Sequence, residues 1–282
     1  MISKNAENLI RAELAKIDVA FAQVDQSVTT IENALDDDTG ASEVKHVDVS
    51  GALKDAKAFP DSYFDDYGKF YDFVRKQKMF GPTLEDSEWK GCEAIIKAFA
   101  INGSPIAYCA YGLATAYLET RMTMQPVRES FWLSTAAAER YATRMYDIKG
   151  SRPSKARELG NVHPGDGARF MGRGYPQVTG RTNYERADRE CAATGLTKAG
   201  DILADPDLLL RPDIAAYVMV KGMEDGWFTA RKLADDLPET GSATFKQFED
   251  SRDIINGRDR DDEIARFAID FQTALLQAGY RA

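Results

Sequence analysis

The sequence predicts a mainly α protein. It has a long N-terminal heptad helix over residues 1–39, a linker and aromatic docking segment over 40–67, and a helical domain over 68–282 with at most a small β-hairpin. Three observations predict this: a heptad seam near the N-terminus, a series of apolar-periodic segments separated by Gly and Pro from residue 83 onward, and a thin strand signal.

The seam runs through Ile10, Leu14, Ile17, Phe21, Val24, Val28, Ile31 and Leu35, alternating spacings of four and three. Leu14, Phe21, Val28 and Leu35 share one core position, and Ile10, Ile17, Val24 and Ile31 the other, a composition that favours three or four strands. Two readings fit it. Residues 10–35 form a homo-oligomer or pair with a partner helix, or they form one amphipathic helix packed on its own domain; periods of 3.5 and 3.6 barely separate over this length. Asp36, Asp37 and Asp38 oppose the helix dipole and end the helix. Phe59, Tyr63, Phe64, Tyr67, Phe70, Tyr71 and Phe73 then form an aromatic cluster suited to packing against the next domain.

Thr83 with Asp86 predicts a capping box, followed by an apolar face of Trp89, Cys92, Ile95, Ile96 and Phe99. Residues 105–119 predict a helix buried on most of its surface. Further helices are predicted at 134–146, 183–194, 212–226, 242–254 and 261–278, and a short hairpin around 168–179.

Composition narrows the chemistry. Cys92, Cys109 and Cys191 lack metal-ligand spacing and fit reduced core thiols. Only His46 and His163 are present, so neither a histidine zinc site nor a Ser-His-Asp triad is expected. Residues 1–66 carry 14 acidic and 6 basic side chains, and the remainder carries 31 and 30. Neither portion is the basic surface of a nucleic-acid binder. No apolar run approaches a membrane span, and the N-terminus lacks the apolar core of a Sec signal. The expectation is a protein made in the cytoplasm, which needs another route if it acts outside.

Carboxylates remain. Glu119 ends the apolar helix in Ala114-Thr115-Ala116-Tyr117-Leu118-Glu119-Thr120. Burial raises a carboxyl pKa, as a general acid requires; the alternative is an exposed glutamate that follows an apolar run. Glu129 comes ten residues later in Met124-Gln125-Pro126-Val127-Arg128-Glu129-Ser130, where Pro126 favours a loop that can return across a cleft. Glycosidases need two such carboxylates. The competing role for Glu129 is an ion pair with Arg121, Arg128 or another cation. In Gly172-Arg173-Gly174-Tyr175-Pro176-Gln177-Val178-Thr179-Gly180-Arg181-Thr182-Asn183-Tyr184, the side chains of Gln177, Thr179 and Asn183 offer the neutral donors and acceptors that sugars need.

Residues 114–120 followed by 124–129 resemble the "ATA-x-HET … MQP-[IV]-RE" signature of phage endolysins and related glycoside hydrolase family 19 enzymes. Residues 172–184 resemble their "GRG-x-x-Q-[LV]-T-x-x-x-NY" block. Ile254-Ile255-Asn256-Gly257, before a helix containing Arg266, resembles their "IN-G … R" element. The resemblance spans about residues 85 to 275. It implies a lysozyme-like helical catalytic domain acting on peptidoglycan or chitin glycan chains, with no metal and no cofactor. It implies Glu119 as general acid, Glu129 as second carboxylate and Thr179 as a hydroxyl that places water. It implies Gln177, Asn183, Tyr184 and Asn256 as sugar contacts, with Arg173 and Arg266 bracing the carboxylates. Two departures stand out: Leu118 replaces the usual His, and Pro176 replaces an apolar residue.

The sequence thus points to a hydrolase of β-1,4 bonds between amino sugars in peptidoglycan, delivered by phage or secretion and suited to a virion. The alternatives among enzymes are a chitinase on the same fold and a lytic transglycosylase using a single glutamate. The non-enzyme alternative is a virion- or secretion-associated structural protein with an inactive lysozyme-like module, which the heptad segment motivates.

Overall fold

The apolar segment 106–118 fixes the centre of the described helical unit. In the computed structural model, which describes residues 63–255 and 260–282, every residue from Ala107 to Leu118 is buried within a helix. The heptad segment and most of the linker lie outside the described residues. Phe59–Ala282 forms a compact unit of its own.

The described chain is mainly α. Helices α1 (Gly68–Lys76), α2 (Asp86–Ile101) and α3 (Ile106–Glu119) lead to a two-residue strand β1 (Val127–Arg128). Next come α4 (Thr135–Tyr146), α5 (Pro153–Glu158), α6 (Asp166–Arg169) and β2 (Arg173–Gly174). Then follow α7 (Arg181–Thr194), α8 (Asp201–Ala204), a 3-10 helix (Pro206–Leu210), α9 (Pro212–Asp225) and α10 (Leu233–Asp236). The chain closes with α11 (Phe245–Asp250), a 3-10 turn (Ser251–Ile254) and α12 (Asp261–Ala278). The sequence misses α1, α5, α6, α8 and α10, most of them too short to show a helical period.

The main core gathers around α3, with α12 and α2 packed on it and α1 packed on α12. Tyr117 meets Phe271 and Phe267 edge-on or tilted, and Phe70 stacks on Phe271 at 6.3 Å. The aromatic segment belongs to this core: Phe64 is buried, and Asp65 and Asp66 N–H groups donate to Ala278 O at 3.0 Å. A second cluster around Phe170, Tyr184, Cys191, Ile214 and Trp227 joins α7 to α9. The three cysteines are buried and unbridged.

Two local expectations change. The cap of α2 is Glu85 rather than Thr83; its N–H donates to Glu88 Oε2 at 2.8 Å. β2 also pairs outside the predicted hairpin. It runs antiparallel to β1, with Val127 opposite Gly174 and Arg128 opposite Arg173. Within 168–179 only a tight bridge closes, where Arg173 and Val178 exchange backbone hydrogen bonds. Two-residue strands are too short for a period-two pattern, so the 127–174 pairing leaves no trace in the sequence.

Candidate active site

Glu119 sits where α3 emerges from the core. Its Oε1 accepts from Arg252 Nη1 at 3.2 Å, with the Glu119 side chain about one-fifth exposed (22%) and that of Arg252 buried. A buried guanidinium, rather than an apolar pocket alone, is therefore what this carboxylate meets. Arg252 lies on the 3-10 turn after α11, which α3 itself anchors: Tyr111 OH donates to Ser251 O at 2.7 Å. Burial pushes the Tyr111 phenol well up, only partly offset by Arg252, so it remains a donor. Arg266, the expected brace, is exposed and pairs with Asp262 one turn away on α12. The i,i+4 spacing of that pair makes it a surface contact of small energetic weight.

The loop after Glu119 is tightly built. Buried Thr120 donates from Oγ1 to Ala116 O at 2.7 Å and accepts from Met124 N–H at 3.0 Å. A side chain on Gly91 of α2 would place its Cβ 1.7 Å from Met124 O, so only glycine lets α2 carry this loop. Eight non-glycine residues among those described have left-handed φ. Five of them, Arg121, Met122, Met124, Ser130 and Gln177, fall in the segments around the two candidate carboxylates. Such conformations cost about 1–3 kcal/mol each and cluster at functional sites. The loop closes on itself where the Arg121 guanidinium lies 3.7 Å from the centre of the Trp132 ring.

Glu129 follows β1 directly. Its N–H donates to Gly172 O at 2.7 Å, and its Oε2 accepts from Gly172 N–H at 3.3 Å. Its Oε1 accepts from Tyr146 OH at 2.8 Å. Burial and the adjacent carboxylate push the Tyr146 phenol up, which keeps it protonated as a donor. Neutral donors hold Glu129, and neither Arg121 nor Arg128 is paired with it among the described residues. Gly172 is the hub. A Cβ there would lie 2.9 Å from Gln177 Oε1, 3.2 Å from Glu129 Cβ and 3.3 Å from Thr179 Oγ1. The structure thus gathers Glu129, Gln177 and Thr179 around one glycine.

The roles within that group are uneven. Gln177 spends its amide N–H groups on Val127 O and Gly174 O at 2.9 and 3.0 Å, so it ties β1 to the β2 turn and keeps Oε1 toward Gly172. Thr179 donates to Gln177 O at 2.8 Å, and Asn183 donates to Thr179 O at 3.1 Å. Tyr184, expected to meet sugar, is instead fully buried, and its hydroxyl donates to Met171 O at 2.6 Å. Arg173 braces neither carboxylate. It is buried against Tyr184 OH, Arg169 O and Asp207. Asn256 lies outside the described residues.

No family model, no curated protein and no solved structure matches the chain.

The wall behind Glu129 is the part that sequence reasoning misses. Buried Asn161 donates to Tyr146 O at 2.9 Å and accepts from Arg181 N–H at 2.9 Å, joining the end of α4 to the start of α7. Buried Asp147 accepts from Gly165 N–H at 2.7 Å, and Asp166 accepts from the Val162 and His163 N–H groups at 3.0 and 2.9 Å. Arg181 adds two bonds to Asp166 at 3.0 and 2.5 Å. Burial raises the Asp166 pKa, but these donors outweigh it and hold the group below its usual value. The dense Asn, Asp, Gly and Pro of residues 161–167 signal a turn, and that signal could have located this wall. Among the described residues no group of three His, Cys, Asp or Glu converges as a metal site, and no helix is long and apolar enough to cross a membrane.

Proposed function

We propose that the protein is a peptidoglycan glycan-strand hydrolase of lysozyme-like fold, with Glu119 as the acid that protonates the glycosidic oxygen. The observation that carries this reading is a pair of carboxylates, Glu119 and Glu129, at the two ends of one strained loop, each held by its own partners. Arg252 orients Glu119 through one oxygen, and Tyr146 with Gly172 N–H fixes Glu129. Two carboxylates in different surroundings suit the division between an acid and a base that activates water. Thr179 adds a hydroxyl beside Glu129 for placing that water. The inverting route calls for carboxyl groups about 6.5 to 9.5 Å apart. In this reading the protein reaches the wall by phage- or secretion-mediated delivery.

Glu119→Gln keeps size and removes the transferable proton. The expected result on purified sacculi is a fall in release of reducing ends of about 10² to 10⁴-fold, measured at a temperature where melting curves show the variant fully folded. Retained activity refutes the assignment. Mass spectrometry of the wild-type products separates the rivals: reducing N-acetylmuramic acid marks a muramidase, 1,6-anhydro ends mark a transglycosylase, and cleavage confined to chitin oligomers marks a chitinase. A wild-type protein that cleaves none of these polymers leaves the structural-protein reading.

A further inference from the structure

Arg121, Phe131 and Trp132 form a built surface that the catalytic reading does not use. Arg121 lies two residues beyond Glu119 and Trp132 three residues beyond Glu129, so their stack bridges the segments that leave the two carboxylates. Phe131 packs edge-on against the indole at 5.5 Å and 74°, with the Arg121 guanidinium 5.9 Å from its ring, which fixes the indole's orientation. The indole is nevertheless 56% exposed, and Met122 and Leu133 beside it are exposed as well. A cation normally found beside a carboxylate here has none: among the described residues no acidic side chain pairs with Arg121. Its backbone is left-handed at φ 52°, so the loop holds the guanidinium over the ring at a conformational cost.

A flat apolar face joined to an unneutralised guanidinium matches a sugar that carries an acid. The apolar face of a pyranose packs on an indole, and a guanidinium takes a carboxylate through paired N–H groups. We propose that Arg121 and Trp132 form a subsite for an N-acetylmuramoyl residue, with the sugar on the indole and a carboxylate of its peptide stem on the guanidinium. The inference rests on the hydrolase reading and deepens it, because chitin offers the sugar without the charge.

The test compares untreated sacculi with sacculi whose stem carboxylates have been amidated, assayed by release of reducing ends. Wild type is expected to favour the untreated sacculi by about three- to tenfold, the scale of one exposed charge-assisted contact. Arg121→Gln abolishes that preference, and Arg121→Lys retains most of it. Trp132→Ala slows both preparations about tenfold and keeps the preference, an effect within the range of one lost substrate contact. Both side chains are exposed, and melting curves check that the variants fold. An active Arg121→Gln enzyme with the wild-type preference overturns the subsite alone, as does Trp132→Ala at the wild-type rate. A wild type that cleaves neither preparation overturns the hydrolase reading and the subsite with it.

Discussion

The two ends of the loop between α3 and β1 are held by different physics. Glu119 is gripped by charge, from an arginine 133 residues away in sequence and buried where α11 ends. Glu129 is gripped by neutral donors, a phenol from α4 and a backbone N–H from the β2 segment. The first arrangement depends on the main core, because α3 and α12 set both α3's end and the anchor of Arg252. The second depends on a web of turns in which almost every polar side chain serves a backbone group. An ion pair tolerates small displacements because Coulomb energy changes slowly with distance, whereas a hydrogen bond fails over a few tenths of an ångström and steeply with angle. Strain in the support therefore reaches Glu129 sooner than Glu119.

Breaking each grip tests the contrast. Arg252→Ala should have the largest effect on stability, about 3 kcal/mol, because it leaves a largely buried carboxylate without its cation. The added Glu119→Gln change should recover much of that loss, since the stranded charge is then gone. Urea titration of the two single variants and the double variant measures the coupling; independent, additive losses would refute a charge-held Glu119. In the other region Asp166→Asn should cost about 2–3 kcal/mol at pH 7, because Asp166 is buried and takes four donors. Its folded pKa is depressed, so its stabilisation is complete above the unfolded value near about 3.9 and is lost as pH falls through the lower folded value. The gap in stability between wild type and Asp166→Asn should thus hold from pH 7 to about 5 and narrow below about 4. A gap that instead widens in acid would contradict the proposed pairing.

The same contrast explains what the sequence makes legible. A run such as Ile106–Glu119 is apolar all round, so its burial and the emergence of Glu119 at its end can be read directly. Its partner cannot. Arg252 looks like any surface arginine, and nothing local marks a contact formed across 133 residues. The Gly172 hub is half legible: its glycine announces close approach, but which side chains approach depends on the β1–β2 pairing. Tyr184 shows the limit of motif reading, since its place in a motif does not tell an inward hydroxyl from an outward one, and here packing against Phe170 turns it inward. Tyr146 is invisible for the opposite reason. It closes an ordinary amphipathic helix, and only the fold of the turns beyond it brings its hydroxyl to Glu129.

Tyr146→Phe gives the smallest change and the finest test. It removes one oxygen from a half-buried site and leaves the ring, so stability should fall by only about 0.5–1.5 kcal/mol, the net worth of one hydrogen bond. If Tyr146 only supports the fold, turnover should follow that small loss and scarcely move at a temperature where both proteins are folded. If it positions Glu129 for the proposed base role, kcat should fall about tenfold while KM stays near the wild-type value, because in that proposal a base turned away from its water weakens the transition state without touching sugar binding.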